Sequence, residues 1–146
     1  MTNIDDLFNE WSKDSSMKLE ELNLEIARIP TLHAKYLRIL VHNNLLVKKT
    51  EAKYNQLKKI KWEYYNGDLN NPEDLERYKL EPILNKVPKS KIQLYMDGDQ
   101  DLINTLLKKQ MHQEIADACE LILKELNSRT YQVRAYLDWK KTENGS

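Results

Sequence analysis

Apolar residues recur at helical spacing along the first thirty residues. Asn3 can cap a first helix whose apolar positions fall at i, i+3, i+4 and i+7. Ser15 or Ser16 can cap a second helix with a similar stripe. Pro30 restricts the residue before it and removes a backbone donor, so we expect a kink or break there. The two stripes are Ile4, Leu7, Phe8 and Trp11, and Leu19, Leu22, Ile26 and Ile29.

A long helix is predicted from Thr31 to Tyr65, because neither proline nor glycine interrupts that stretch. Its roughly 35 residues would extend about 50 Å. Such a helix is only marginally stable alone and needs neighbours, most simply helices of other subunits. Gly67 is a plausible C-cap, because glycine readily adopts the left-handed conformation that ends many helices.

The remaining pattern predicts a short helix, a connector and further helices. Asn71 followed by Pro72 is a helix start signal. The alternation in Lys91–Met96 favours a small strand or extended segment. Asp97–Asp101 opens the last major helix, and Asn127 and Ser128 indicate a break or kink before a final one. The last major helix carries a regular apolar stripe: Leu102, Ile103, Leu106, Leu107, Ile115, Cys119, Ile122 and Leu126.

These elements predict an all-α fold in which a long helix is followed by C-terminal helices. We expect one helical domain over residues 1–146, with N-terminal helices at 1–30 and the long helix at 31–67. A short helix and loop-rich connector would occupy 68–98, and C-terminal oligomerisation helices 99–146. Only three glycines and four prolines agree with a mostly helical chain.

Composition favours a protein of a reducing cytoplasm. Cys119 is the single cysteine, so no internal disulfide can form. The acidic opening MTNIDDLFNEW lacks the features of a signal peptide. Apolar runs are far shorter than the roughly 20 residues that span a bilayer, so no membrane association is expected.

Positive charge is concentrated in one stretch of a chain whose formal net charge is zero. Between Lys48 and Lys61 there are six lysines and one acid, Glu51. Three aromatic residues follow at once: Trp62, Tyr64 and Tyr65. Lysines contact phosphates without reading bases, and aromatic rings accept stacked bases, which is the combination used for single strands. Distant acids are screened beyond about 8–10 Å, so a neutral chain can bind a polyanion locally.

Catalysis is not expected, because the residues that carry it are missing or misplaced. The three histidines lack partners at ligand spacing, and Cys119 sits on an apolar stripe typical of structural cysteine. The acids Asp97, Asp99 and Asp101 resemble the start of a calcium loop, but Leu102 and Lys108 occupy positions that need glycine and glutamate. Complementing the helix dipole explains these acids better. We therefore expect no enzyme, no metal and no cofactor.

Four segments resemble the UvsY family of phage recombination mediators. They are Lys35–Leu37, the basic stretch that ends at Lys59–Gly67, Arg77–Lys79 and Leu126–Trp139. The resemblance implies a homo-oligomeric helical ring, a heptamer in the family, in the cytoplasm of the infected host cell. It also implies binding of single-stranded DNA, contact with the phage single-strand-binding protein, and loading of a UvsX-type recombinase.

The same resemblance places the family's basic pair, a lysine and an arginine, on Lys59 and Lys61. Lysine in place of arginine keeps the charge but loses the planar fork. Helix geometry puts Lys59 about 200° away from Lys61, so one face cannot present both. The predicted DNA-binding residues are Lys58, Lys59, Lys61, Trp62, Tyr64 and Tyr65, with a secondary set of Lys48, Lys49, Lys53, Arg77 and Lys79. Self-assembly, assigned by the family to the C-terminal part, would fall on Leu102, Leu106, Ile115, Cys119, Ile122, Leu126, Val133 and Leu137.

Two other interpretations of the sequence stay open. Lysine runs on helices are usually solvated faces, so the chain could be a helical oligomeric scaffold or adaptor that binds only protein. A duplex-DNA-binding regulator is the second, although no helix-turn-helix pattern supports it.

Overall fold

A computed structural model of the chain describes residues 3–145 and is all-helical, with no strand in that range. The all-α part of the predicted fold is confirmed. The helices are α1 (Ile4–Asp14), α2 (Leu22–Tyr65), α3 (Pro72–Arg77), α4 (Ile92–Asp97) and α5 (Gln100–Glu143), with short 3-10 turns at Leu19–Glu21 and Lys89–Lys91. Residues 1, 2 and 146 of the predicted domain lie outside the described range.

The start of α1 follows the predicted cap. The Asn3 side chain accepts a hydrogen bond from the backbone N–H of Asp6 at 2.8 Å, which satisfies one of the unpaired donors of the first turn. The prediction that Ser15 or Ser16 caps the next helix is wrong. The Ser15 N–H donates to the Trp11 carbonyl at 2.7 Å, and the Ser16 hydroxyl donates to the Lys13 carbonyl at 3.0 Å. Both serines therefore finish α1 instead of starting α2.

Pro30 lies inside α2 and does not end it, so of the kink or break expected there the break is wrong. Proline within a helix removes one hydrogen bond and normally destabilises it by about 3 kcal/mol. Here the turns that follow are held by burial, since Leu32 and Tyr36 both lie in a core. At 44 residues α2 extends about 66 Å.

Of the break or kink expected at Asn127 and Ser128, the break is also wrong, because α5 continues to Glu143. The Ser128 hydroxyl donates to the Glu125 carbonyl of its own helix at 2.9 Å. One residue later, Arg129 is buried, donates to the Ser15 carbonyl at 2.8 Å and lies over the Trp11 ring. These contacts hold the helix through a locally unfavourable sequence.

Lys91–Met96 does not form the predicted strand or extended segment, because most of it is the helix α4. Ile92 and Met96 are four residues apart, and in a helix this spacing turns both toward one core.

The described chain divides into two compact units, one made of residues up to 45 and from 111 onward, the other of residues 46–110. The first unit has a core to which α1, α2 and α5 contribute: Leu7, Leu32, Tyr36, Ile115, Cys119, Ile122, Leu123 and Leu126. The second unit has a smaller core of Val87, Ile92, Met96 and Leu102. Because α2 and α5 pass through both units, the chain runs from one unit to the other within helices.

Candidate nucleic-acid interface

The basic end of α2 is closed by a well-formed C-cap. Gly67 has φ +86°, in the left-handed region where a side chain is strained. The Asp68 N–H donates to the Glu63 carbonyl at 2.9 Å, and the Gly67 N–H donates to the Tyr64 carbonyl at 3.2 Å. These two bonds form a Schellman motif, as the predicted glycine cap requires.

One face of this helix end packs into the second unit's core. Tyr54, Leu57 and Tyr65 lie against the core, and Lys61 is on the same face at helical spacing. A lysine on a core-facing stripe must be paired, since an isolated buried ammonium is strongly unfavourable.

Lys61 is only 5% exposed and is paired with two carboxylates. Its Nζ lies 2.8 Å from Asp101 Oδ2 and 3.1 Å from Asp99 Oδ2. Tyr65 donates its hydroxyl proton to Asp99 Oδ2 at 2.6 Å. The other oxygen of Asp99 accepts from the Leu102 N–H at 3.1 Å, so Asp99 also caps α5.

The pKa shifts of Lys61 and Asp99 both favour the charged forms of this ion pair. Burial alone would lower the pKa of Lys61, but the hydrogen bonds and charges of Asp101 and Asp99 raise it above 10.5. Burial would raise the pKa of Asp99, yet Tyr65, the Leu102 N–H and Lys61 together lower it below 3.8. Burial and the hydrogen bond to Asp99 raise the pKa of Tyr65, so its proton stays on the phenol.

A neighbouring face of the same helix end is open. Asn55, Lys58, Lys59 and Trp62 are spaced i, i+3, i+4 and i+7, which places them on one side of a helix. They line a shallow depression of about 380 Å³ together with Glu63 and Met96. Both lysines are exposed, and Trp62 is 46% exposed. The predicted divergence of Lys59 and Lys61 thus separates an outward lysine from an inward one.

The two tyrosines of the basic segment are fixed by hydrogen bonds. The Tyr64 hydroxyl donates to the Glu81 carbonyl at 2.6 Å, and Tyr65 is held by Asp99. Their ring centroids are 5.1 Å apart. Both rings line a second depression, of about 610 Å³, on the side of the connector that carries Leu84 and Lys86. They do not line the depression of Lys58, Lys59 and Trp62.

The secondary basic residues are exposed but dispersed. Lys48, Lys49 and Lys53 lie on α2 ahead of the depression. Arg77 lies over the ring of Tyr78 at 5.4 Å. Lys79 has φ 57°, and its N–H donates to the Glu76 carbonyl at 3.1 Å, so it takes the place of a C-cap glycine after α3.

The apolar residues predicted for self-assembly lie mostly inside the subunit. Ile115, Cys119, Ile122 and Leu126 belong to the first core, Leu102 to the second, and Val133 is buried as well. Burial raises the pKa of the Cys119 thiol to about 11. Only Leu106 and Leu137 of this set are exposed, at 37% and 41%. An internal role accounts for the stripe because a helix buries its most regular apolar face first.

Sequence reasoning missed the ionic partners of Lys61. The sequence led us to expect that Asp99 and Asp101 complement the dipole of α5. The hydrogen bond from the Leu102 N–H to Asp99 supports that expectation for Asp99. No sequence spacing connects Lys61 with carboxylates about 40 residues later. Asn55 and Met96 were missed as well, although the i, i+3, i+4, i+7 spacing could have identified Asn55.

Within residues 3–145 no cluster of histidine, cysteine and acidic side chains has the arrangement of a metal site. No helix in that range has the length and apolar character needed to cross a membrane.

Comparisons with known proteins agree with the helical architecture. Three crystal structures of the bacteriophage T4 recombination mediator protein UvsY superpose with TM-scores of 0.80, 0.79 and 0.78. Their sequence identities are 22%, 22% and 19%, and the matches cover 99%, 94% and 96% of this chain and 99%, 98% and 98% of theirs. At this identity the likeness establishes the fold. No curated protein matches by sequence.

The match to a protein-family model covers a far larger share of the sequence than the four segments that resemble the family. Residues 10–146 match the family described as "Recombination, repair and ssDNA binding protein UvsY". Because that match covers nearly the whole chain, the protein belongs to the UvsY family.

Proposed function

We propose that this protein is a recombination mediator that binds single-stranded DNA through the outward face of the α2 end. In this proposal it helps to load a UvsX-type recombinase onto DNA covered by the phage single-strand-binding protein, in the cytoplasm of the infected host cell. It acts by binding and not by catalysis. The observation that carries the proposal is the depression in which Lys58, Lys59 and Trp62 meet.

The chemistry of this depression suits a single strand. Two exposed ammonium groups can neutralise phosphates, which releases condensed counterions and favours binding at low salt. The exposed part of the Trp62 ring can stack on a base, a contact that contributes roughly 1–3 kcal/mol. None of these groups reads base edges, so little sequence preference follows. Lys48, Lys49 and Lys53 can extend the phosphate track along α2, and Arg77 and Lys79 are candidates for weaker contacts.

The aromatic residues of the segment divide into two roles in this proposal. Trp62 is the stacking group, since its side chain is about half exposed beside the two lysines. Tyr64 and Tyr65 support the helix end, because both hydroxyls are already engaged within the subunit.

We further propose that subunits assemble into a homo-oligomeric ring, a heptamer as the resemblance to the UvsY family implies. Two lysines and one ring per subunit make a weak site alone. Several identical sites on one strand act at high effective concentration, which multiplies the affinity without new contacts. Light scattering coupled to size exclusion tests this directly, and a mass of 17.4 kDa, that of one chain, would refute it.

The DNA site is tested by fluorescence anisotropy with labelled oligo-dT over a range of salt concentrations. The double variant Lys58→Gln/Lys59→Gln should bind more weakly. Its plot of log affinity against log salt should be shallower by about 0.7 for each phosphate that the variant no longer neutralises. Lys124→Gln/Lys140→Gln, which removes two exposed lysines of α5 far along the sequence, is the matched control and should bind like the parent.

Three outcomes decide between the interpretations. Unchanged binding by an assembled double variant would refute the site. A parent protein that binds no oligonucleotide even at low salt would indicate an adaptor that binds only protein. Equal affinity for duplex and single strand would favour a duplex-binding regulator.

A further inference from the structure

We infer that Lys61 is a positioning residue, which fixes the shape of the DNA-binding depression from inside and does not contact the strand. This inference rests on the proposed function for its DNA part, but its structural part stands on the cluster of Lys61, Asp99, Asp101 and Tyr65. It differs from the expectation that Lys61 takes the DNA-contacting place of an arginine.

Lys61 cannot reach a phosphate without disrupting the subunit. Its Nζ is buried between Asp99 at 3.1 Å and Asp101 at 2.8 Å. Moving it to a phosphate would leave the buried carboxylate of Asp99 without its cation, which is strongly unfavourable. Lys58 and Lys59, three and two residues earlier on α2, are exposed and need no such rearrangement.

The contacts of Asp99 connect this ion pair to the wall of the depression. Asp99 holds α2 through Lys61 and Tyr65 and caps α5 through Leu102. Its own N–H donates to the Met96 carbonyl at 3.1 Å, in the tight turn between α4 and α5. Met96 in turn lines the depression beside Lys58 and Trp62. The cluster therefore fixes the distance between α4 and the lysines of α2.

A direct contact and a positioning role make opposite predictions when Asp99 is neutralised. Asn at position 99 can still cap α5 with its one side-chain oxygen, while its amide N–H can donate to the Tyr65 hydroxyl in place of the bond that Asp99 accepts. In Lys61→Met/Asp99→Asn no buried charge at these two positions is left unpaired, and replacing both members of a buried pair is often close to neutral. If Lys61 only positions the depression, this double variant regains the DNA affinity and the stability that Lys61→Met loses, although position 61 carries no ammonium group.

The experiment measures oligo-dT affinity, its salt slope and the midpoint of thermal unfolding for three variants. Lys61→Met should lose at least tenfold in affinity at fixed salt with an unchanged salt slope, and its unfolding midpoint should fall. Lys61→Met/Asp99→Asn should return to within about threefold of the parent affinity and recover the midpoint. Lys61→Met/Asp97→Asn has the same net charge but leaves Asp99 unpaired, so it should recover neither.

A salt slope lowered by about 0.7 in both Lys61→Met and its Asp99→Asn double would show direct phosphate contact and overturn the inference. Failure of Asp99→Asn to recover the unfolding midpoint would overturn it as well. If the parent protein binds no oligonucleotide, the proposed function fails, while the unfolding midpoints still test whether Lys61 and Asp99 act as a pair. Poor folding of Lys61→Met alone does not affect this comparison, because the recovered double variant supplies the readout.

Discussion

Asp14 links α1 to α2, and its replacement by Asn should destabilise the first unit in a pH-dependent manner. Its Oδ2 accepts from Lys35 Nζ at 2.6 Å and from the Tyr36 hydroxyl at 2.8 Å. Tyr36 is fully buried, and Lys35 also pairs with Glu10 at 2.7 Å. Asp14→Asn keeps an acceptor for Tyr36 and removes only the charge.

The expected loss at pH 7 is about 1–2 kcal/mol of unfolding free energy. A hydrogen bond to a charged group contributes about 1.5–3 kcal/mol, and solvent screening of the partly exposed Lys35 reduces the ion-pair share. Burial would raise the pKa of Asp14, but the hydrogen bonds of Lys35 and Tyr36 and the charge of Lys35 hold it below 3.8. A carboxyl with a depressed folded pKa stabilises above its unfolded pKa, and this contribution disappears as pH falls through the folded pKa.

Urea unfolding at one fixed protein concentration, followed by circular dichroism, measures this loss of unfolding free energy. The difference between parent and Asp14→Asn should be present at pH 7 and should shrink toward zero as pH falls below 3.8. Glu10→Gln is the matched control and should lose less unfolding free energy, because Lys35 still pairs with Asp14. An equal deficit at pH 7 and at strongly acidic pH, or none at pH 7, would refute the linkage.

Two further predictions concern packing and backbone conformation. Leu126→Ala should lower the free energy of unfolding by about 2–5 kcal/mol in a chemical denaturation experiment, because Leu126 is fully buried in the first core. Leu121→Ala, at a side chain that is 67% exposed, should change the same quantity by no more than about 0.5 kcal/mol. If instead Leu126→Ala lowered only the oligomer mass, Leu126 would be an interface residue. Lys79→Gly should raise the free energy of unfolding by about 1 kcal/mol, because φ 57° is strained for lysine and not for glycine. Lys79→Ala loses the same charge and keeps the strain, so a stabilised Lys79→Ala would show that charge is the cause.

The helix starts at Asn3 and Asn71 could be predicted because they depend on local signals. Asn3 and Asn71 cap as expected, each accepting from a backbone N–H within the first turn. The helix breaks considered at Pro30 and Ser128 do not occur, since long-range burial outweighs a local breaking signal. Tyr36 after the proline and Arg129 after the serine supply that burial.

The candidate site was predictable in composition but not in orientation. Charge density and aromatic residues indicated Lys58, Lys59 and Trp62 without any structure. Which lysine faces inward depends on carboxylates distant in sequence, and a single sequence carries no spacing rule for such a pair. The apolar stripe of α5 shows the same limit, because periodicity reveals a buried face and not whether it is buried within or between subunits.

The ion pairs of Lys61 also govern how the connector tolerates changes in length. They join residues about 40 positions apart, so they close a loop whose ends are held by charge and by the cap of α5. Residues 81–86 of that loop are exposed throughout, and Leu84 is 94% exposed. The entropy of closing a loop rises only slowly, by about 0.6 kcal/mol for each doubling of its length. Insertions beside Leu84 therefore leave the two helix ends together, and this is where the chain can acquire new segments without losing the depression of Lys58, Lys59 and Trp62.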